Sequence, residues 1–348
     1  MSQTTRSIAA SKLRWPVCAA FAVIVGLLLF SRSAASQAPS PAAKTGIDSN
    51  APSGVTRSTL NPMQVALLRW YAANHTTQFP VGRGPGCDVF DGADIWVVND
   101  TDNTITKLRA NDGENLGTFA VGNTPQGAVF DGANVWVANF YDNNVTKLRA
   151  SDGGVLGNFS VGKNPGFLAF DGTNIWVTNL TDNTVTKLRA TNGKTLATIT
   201  VGSRPFGIAF DGTYMWVANS GDSTVTKLRA SDGAQIGVFP VGKVPGGVTF
   251  DGVNIWVANL ADNTVSKLLA LNGSTLGTFA VGADPNFITF DGANVWVSNY
   301  MGNSVTELRA SDGKNLGTFP VGDGPGGVVF DGANIWVTNS FSNTVSKL

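Results

Sequence analysis

Histidine and glutamate, two side chains that often carry acid–base chemistry, are nearly missing from this chain. It has one histidine, His75, and two glutamates, Glu114 and Glu307. A general acid or base needs a positioned group that titrates near neutrality, and histidine fills that role most often. His75 lies outside the repeated part of the sequence described below, Glu114 falls on a turn that recurs almost unchanged, and Glu307 replaces a recurrent lysine. No Ser-His or Cys-His pairing is visible. No His/Cys/Glu cluster has the spacing of a transition-metal site, and no glycine-rich loop opens a helix to hold phosphate. The Asn-x-x-Asp-Asn segments at 99–103 and 139–143 carry enough oxygens to suggest calcium. They lack the alternating ligands and closing Glu of a calcium loop. No metal, no cofactor and no catalytic residue are expected. Asp88 stands apart as a lone carboxylate where its repeat equivalents are Ala128, Leu168, Ile208, Val248, Ile288 and Val328. It either lines a channel or is a peculiarity of the first unit.

What positions these residues is a repeat. Val-Gly falls at 81, 121, 161, 201, 241, 281 and 321, a period of forty residues without insertion or deletion. Such a unit buries its faces only against its neighbours. In residues 121–160, Gly127–Phe130, Val135–Ala138, Val145–Arg149 and Leu156–Val161 are short β-branched or apolar runs separated by Asp-Gly and Gly-Pro turn signals. Four strands per forty residues predict an all-β fold, a seven-bladed β-propeller of four-stranded blades over residues 76–348. The last repeat stops after its third strand. Thr77–Gly82 match Gly317–Gly322, the fourth-strand segment of the repeat before it, so residues 76–82 are expected to complete the last blade and close the ring.

The recurrent residues read as scaffold. Trp96 and its six equivalents should form a girdle between blades, and Phe90 and its equivalents should be core. The Asp-Gly pairs should cap turns, and Asn99 with its equivalents should bond its own loop backbone. A four-residue loop at 100–103 sets Lys107 across from Trp96, within cation–π reach; a slip of one residue would put Thr106 there.

Variation between copies concentrates in the loops joining strand four to strand one and strand two to strand three, which emerge on one face. A ligand site belongs on that individual face. The four-to-one loops supply Arg83, Lys163, Arg204, Lys243 and Asp284, with Phe167, Phe206 and Phe287 beside the proline. The two-to-three loops supply Asp100, Phe140, Tyr141, Tyr300, Met301 and Phe341. Aromatics interspersed with charges suit an unknown protein or a glycan; alternatively some of them turn inward and plug the central channel. A metal-assisted lyase or hydrolase at the channel mouth, using Asp88, Asp100 or Asp284, is the competing reading, and a purely structural envelope protein is a third.

The ends carry other signals. Arg6, Lys12 and Arg14 precede an apolar run from Val17 to Phe30, followed by Ser33-Ala34-Ala35. That layout predicts a secretory signal over 1–35, hence a secreted or periplasmic protein, with an uncleaved membrane anchor as the alternative. Residues 36–60 read as a disordered Ser/Ala/Pro-rich tether. Asn61-Pro62 opens a short helix within the lead-in 61–75. Basic and acidic residues balance at 24 each, which argues against a nucleic-acid partner. Once a signal is removed only Cys87 remains, so no internal disulfide is expected, and the protein should be a monomer.

The motif Trp-Val-x-Asn-x-x-x-Asn-Thr-Val-Thr-Lys-Leu, followed by Gly-Thr-Phe-x-Val-Gly-x-x-Pro-x-Gly-Val-x-Phe-Asp-Gly, resembles the YVTN/NHL class of bacterial propeller repeats over residues 76–348. The blade layout is also similar to that of virginiamycin B lyase-like propellers. The first resemblance implies the fold and a binding scaffold. The second would imply a His general base with a Glu-assisted divalent metal near the axis, and no blade here contains a histidine.

Overall fold

The structure, a computed structural model, describes residues 77–348. The expected signal segment, tether and short helix lie outside the described residues, as does residue 76 of the closing strand.

Blade 1 consists of an inner strand Pro85–Phe90, a second strand Asp94–Asn99, a third strand Thr104–Arg109 and an outer strand Asn115–Ala120. Blades 2 to 6 repeat this order with inner strands that begin at Pro125, Pro165, Pro205, Pro245 and Pro285. Blade 7 contains Pro325–Phe330, Ile335–Asn339 and Thr344–Lys347, and Thr77–Pro80 pairs antiparallel with the last of these, Phe79 opposite Val345. The inner strands touch in sequence, and that of blade 7 touches that of blade 1. The strands begin up to two residues earlier than the sequence suggests, because proline opens each inner strand across from the recurrent Asn of the second, as Pro165 does across from Asn179.

Two side chains tie each blade together. The Trp is fully buried in six blades, and its Nε1–H donates to the turn aspartate of the same blade at 2.7–2.8 Å in all seven, as Trp136 does to Asp131. The other oxygen of that aspartate accepts the backbone N–H groups two and three residues on, so the Asp-Gly turn is capped as expected. Burial alone would raise the Asp131 carboxyl, but the Trp136 and backbone donors outweigh it and hold the group below its ordinary value. Trp136 of blade 2 packs with Leu168, Ile175 and Val177 of blade 3, which makes the tryptophans the inter-blade girdle.

The register sets Trp96 opposite Lys107, and the same pairing recurs around the ring. Each lysine ammonium lies 4.8–5.1 Å from the Trp ring centroid. It then donates to a main-chain carbonyl of the next blade: Lys107 to Ala150, Lys147 to Ala190, and onward to Lys347, which reaches Ala110 at 2.8 Å. Blade 6 departs, because Glu307 faces Trp296 and accepts from Asn294 instead, and Trp296 is only half-buried.

Two expectations need correction. Phe90 is half-buried at the rim of the core. Asn99 and its equivalents do not bond their own loop. Asn139 Nδ2 donates to Asn144 and Thr146 on the third strand, while its Oδ1 accepts the Gly122 N–H from the preceding loop, so the side chain bridges two connections.

Candidate functional face and channel

The four-to-one and two-to-three loops do share one end of the ring, and backbone bonds join them within each blade, as Tyr300 N–H to Asp284 O at 2.9 Å and Leu180 N–H to Asn164 O at 3.0 Å. The Asn-x-x-Asp-Asn segment holds them there. Its aspartate accepts the backbone N–H of the four-to-one loop of its own blade: Asp142 from Asn123, Asp182 from Lys163, Asp262 from Lys243. Its final asparagine sits in the left-handed region, at φ 54° for Asn143, and accepts an N–H from the loop entering the next blade, as Asn143 does from Asn164 at 2.9 Å. The oxygens that suggested calcium are thus committed to clamping loops. Among the described residues no three His, Cys, Asp or Glu side chains gather as metal ligands.

The fourteen candidate residues separate into three groups. Exposed on the face are Arg83, Lys163, Arg204 and Lys243 on the four-to-one loops of blades 1, 3, 4 and 5, and Tyr141, Met301 and Phe341 on the two-to-three loops of blades 2, 6 and 7. Arg83 is engaged by Asp102, Nε to Oδ1 at 2.7 Å. The Arg83 backbone N–H, more than the guanidinium, holds the Asp102 carboxyl below its ordinary value. Tyr141, Met301 and Phe341 are 53, 58 and 59 % exposed. Phe140, half-buried, meets Tyr141 edge-to-face at 5.1 Å, and buried Tyr300 supports Phe341 at 5.6 Å.

The second group turns inward. Phe167, Phe206 and Phe287 come from blades 3, 4 and 6, yet their ring centroids lie 4.4, 5.1 and 6.2 Å apart. Side chains of non-adjacent blades can meet only on the axis, so the three rings plug the central channel, Phe167 and Phe206 buried and Phe287 half-buried. They are not part of the exposed face where the sequence reading put them. The physical reason is a β-bulge: on each inner strand two residues after the proline face one on the second strand, between Pro165 and Leu168 for example.

The third group is acidic. Asp100 is buried, accepts from Thr101 Oγ1 at 2.8 Å, and burial pushes its carboxyl up to about 6. Asp284 is half-buried and also raised by burial. These two do not converge with each other on any shared partner. Asp88 sits inside the ring with neither carboxylate oxygen hydrogen-bonded, and burial raises it well above the carboxylate range. Burial, followed by the charge of Asp88, pushes the Cys87 thiol up to about 12, so this thiol stays protonated and unreactive at neutral pH.

No protein-family model and no curated protein sequence matches the chain. Solved structures do. A hydrazine synthase structure from Kuenenia stuttgartiensis superposes with a TM-score of 0.68 at 18 % identity, over 76 % of this chain and 95 % of its own. A streptogramin B lyase gives 0.67 at 17 % identity, over 78 % and 96 %. Virginiamycin B lyase from Staphylococcus aureus gives 0.68 at 18 % identity, over 78 % and 98 %. At such identities the likeness is one of fold, and in fold the chain is a seven-bladed propeller like virginiamycin B lyase.

Proposed function

We propose that this protein is an exported binding scaffold that engages a protein or a glycan through the face of four-to-one and two-to-three loops. It acts by holding its partner rather than by transforming it. The observation that carries this reading is the exposure of Tyr141, Met301 and Phe341 on the loops that differ between blades, while the opposite turns repeat. Exposed aromatic and Met side chains on the same face as Arg204 match the make-up of recognition surfaces, whose affinity comes from a few apolar anchors within a polar rim, here supplied in part by Lys163 and Lys243. Export follows from the charged and apolar pattern of the first 35 residues. The scarcity of His and Glu supports binding over turnover.

The test is capture from an envelope fraction and on a glycan array by the purified protein, with and without EDTA. Capture that survives EDTA, and that is lost in Tyr141→Ser/Phe341→Ser while the melting temperature stays within about 1 °C, is expected. Capture unchanged by that double substitution would remove the aromatic face from consideration. Streptogramin lyase activity that depends on Asp88 or Asp284 would replace the scaffold reading with an enzymatic one.

A further inference from the structure

Each seam between blades contains one inner-strand position, Asp88 and its equivalents, facing one second-strand position of the preceding blade, Thr338 and its equivalents. In three seams the pair is apolar and lies in a single buried cluster: Ala138 with Leu168, Ala218 with Val248, Ala258 with Ile288. Where the second-strand residue alone is polar, its hydroxyl is satisfied. Thr178 Oγ1 accepts the Phe167 N–H at 2.9 Å and donates to Phe206 O of the next blade at 3.0 Å. Ser298 Oγ accepts the Phe287 N–H at 3.0 Å.

The seam between blades 7 and 1 differs from all of these. Both positions are polar, Thr338 and Asp88, and Thr338 Oγ1, Asp88 Oδ1 and Asp88 Oδ2 are all buried without a hydrogen-bond partner. Gly86 occupies the place of Phe206, yet Thr338 makes no bond to Gly86 O that would match the one from Thr178. The oxygens border one stretch of backbone, Gly326-Gly327. A Cβ on Gly327 would lie 2.6 Å from Asp88 Oδ1, and one on Gly326 would lie 2.6 Å from Gly86 O and 3.0 Å from Thr338 Oγ1. Asp88 is 7 % exposed, and among the described residues no lysine or arginine forms an ion pair with it. A buried carboxylate without a counter-charge is costly, and the cost falls when a cation or proton joins it.

We propose that this seam binds one monovalent metal cation, sodium or potassium, through the Asp88 carboxylate, the Thr338 hydroxyl and the Gly86 carbonyl. The donors are all hard oxygens, which select alkali and alkaline-earth cations over the softer metals. Their single negative charge is balanced by one positive charge, whereas a divalent ion would leave an excess charge buried. The cation would join the first blade to the last through a carboxylate and a hydroxyl that otherwise have no hydrogen-bond partners.

The full chain should be melted in NaCl, KCl and choline chloride at equal ionic strength, with CaCl₂ and MgCl₂ as further arms. A saturable rise of at least about 3 °C in sodium or potassium over choline is expected, since a ligand of the native state stabilises it by mass action. The variant Asp88→Val/Thr338→Ala installs the pair type of the three apolar seams; it should fold and show no difference between the salts. Crystals soaked in thallium(I) should give an anomalous peak between Asp88 and Thr338. Equal melting in sodium, potassium and choline, an alkali response that persists in the double variant, a response to divalent ions alone, or water alone at the site would each overturn the proposal.

Discussion

Replacing Lys147 by methionine isolates the strap that links one blade to the next. Methionine keeps much of the aliphatic stem between the blades but removes the ammonium, which lies 4.8 Å from the Trp136 centroid and donates to Ala190 O at 2.8 Å. A hydrogen bond from a charged donor contributes about 1.5–3 kcal/mol, and a partly desolvated cation–π contact about 0.5–2 kcal/mol. Against this, the change ends the burial of a charge and buries a thioether, an offset of about 1 kcal/mol. The net expectation is a loss of about 2 kcal/mol, or roughly 4–8 °C for a domain of this size. Urea unfolding followed by tryptophan fluorescence reads it directly. Glu307→Met is the internal control, because blade 6 has no ammonium over Trp296 to lose. It loses only the bond accepted from Asn294 while ending the burial of a carboxylate, so it should change stability by no more than about 1 kcal/mol. If Lys147→Met falls within that same range, the strap contributes nothing and the reasoning is wrong.

Three further outcomes are expected. Removing residues 76–82 deletes the strand paired with Thr344–Lys347 and the Phe79 ring stacked on Trp336 at 5.5 Å, so unfolding should broaden or split; a melt like the parent's would show that this strand does not close the ring. Asp100 binds its proton more tightly when folded, with its value near 6 rather than 3.8, so its contribution turns unfavourable as pH rises from about 4 to about 6, by roughly 3 kcal/mol. Asp100→Asn should flatten that part of the stability curve measured by urea midpoints, and parallel curves would refute the assignment. Phe206→Ala removes the ring whose centroid lies 4.4 Å from that of Phe167 and should cost about 3–5 kcal/mol while opening an apolar void that takes up xenon in crystals; an unchanged melting curve would mean that the plug does no packing.

The fold was legible because a forty-residue period leaves little choice of architecture, and the Trp96–Lys107 register followed from counting one loop. The aromatics were harder. Phe140 and Phe167 look alike in sequence, each in a loop-flanking position, but the bulge after Pro165 swings Phe167 to the axis while Phe140 stays near the surface. A strand pattern with period two carries no mark of where two residues will face one. The clamp role of Asp142 and Asn143 was equally hidden. Its partners lie 19 and 21 residues away, and one of them belongs to the next blade, so they are found only once the blades are set side by side. Glu307 did carry a readable signal, because the one repeat without the lysine is the one whose tryptophan is less covered.

The lysine strap always reaches 43 residues ahead, one period and three residues more, and Lys347 lands at the same point of the first blade. Apart from the junction of blades 6 and 7, where Glu307 stands in for the lysine, each junction therefore takes its donor from the unit behind it and its acceptor from the unit ahead. A gene segment that duplicates such a unit copies both halves of a matched joint in one step, and neither neighbour needs to change. The number of blades is then left to curvature alone, the wedge angle at which a new copy still meets the first.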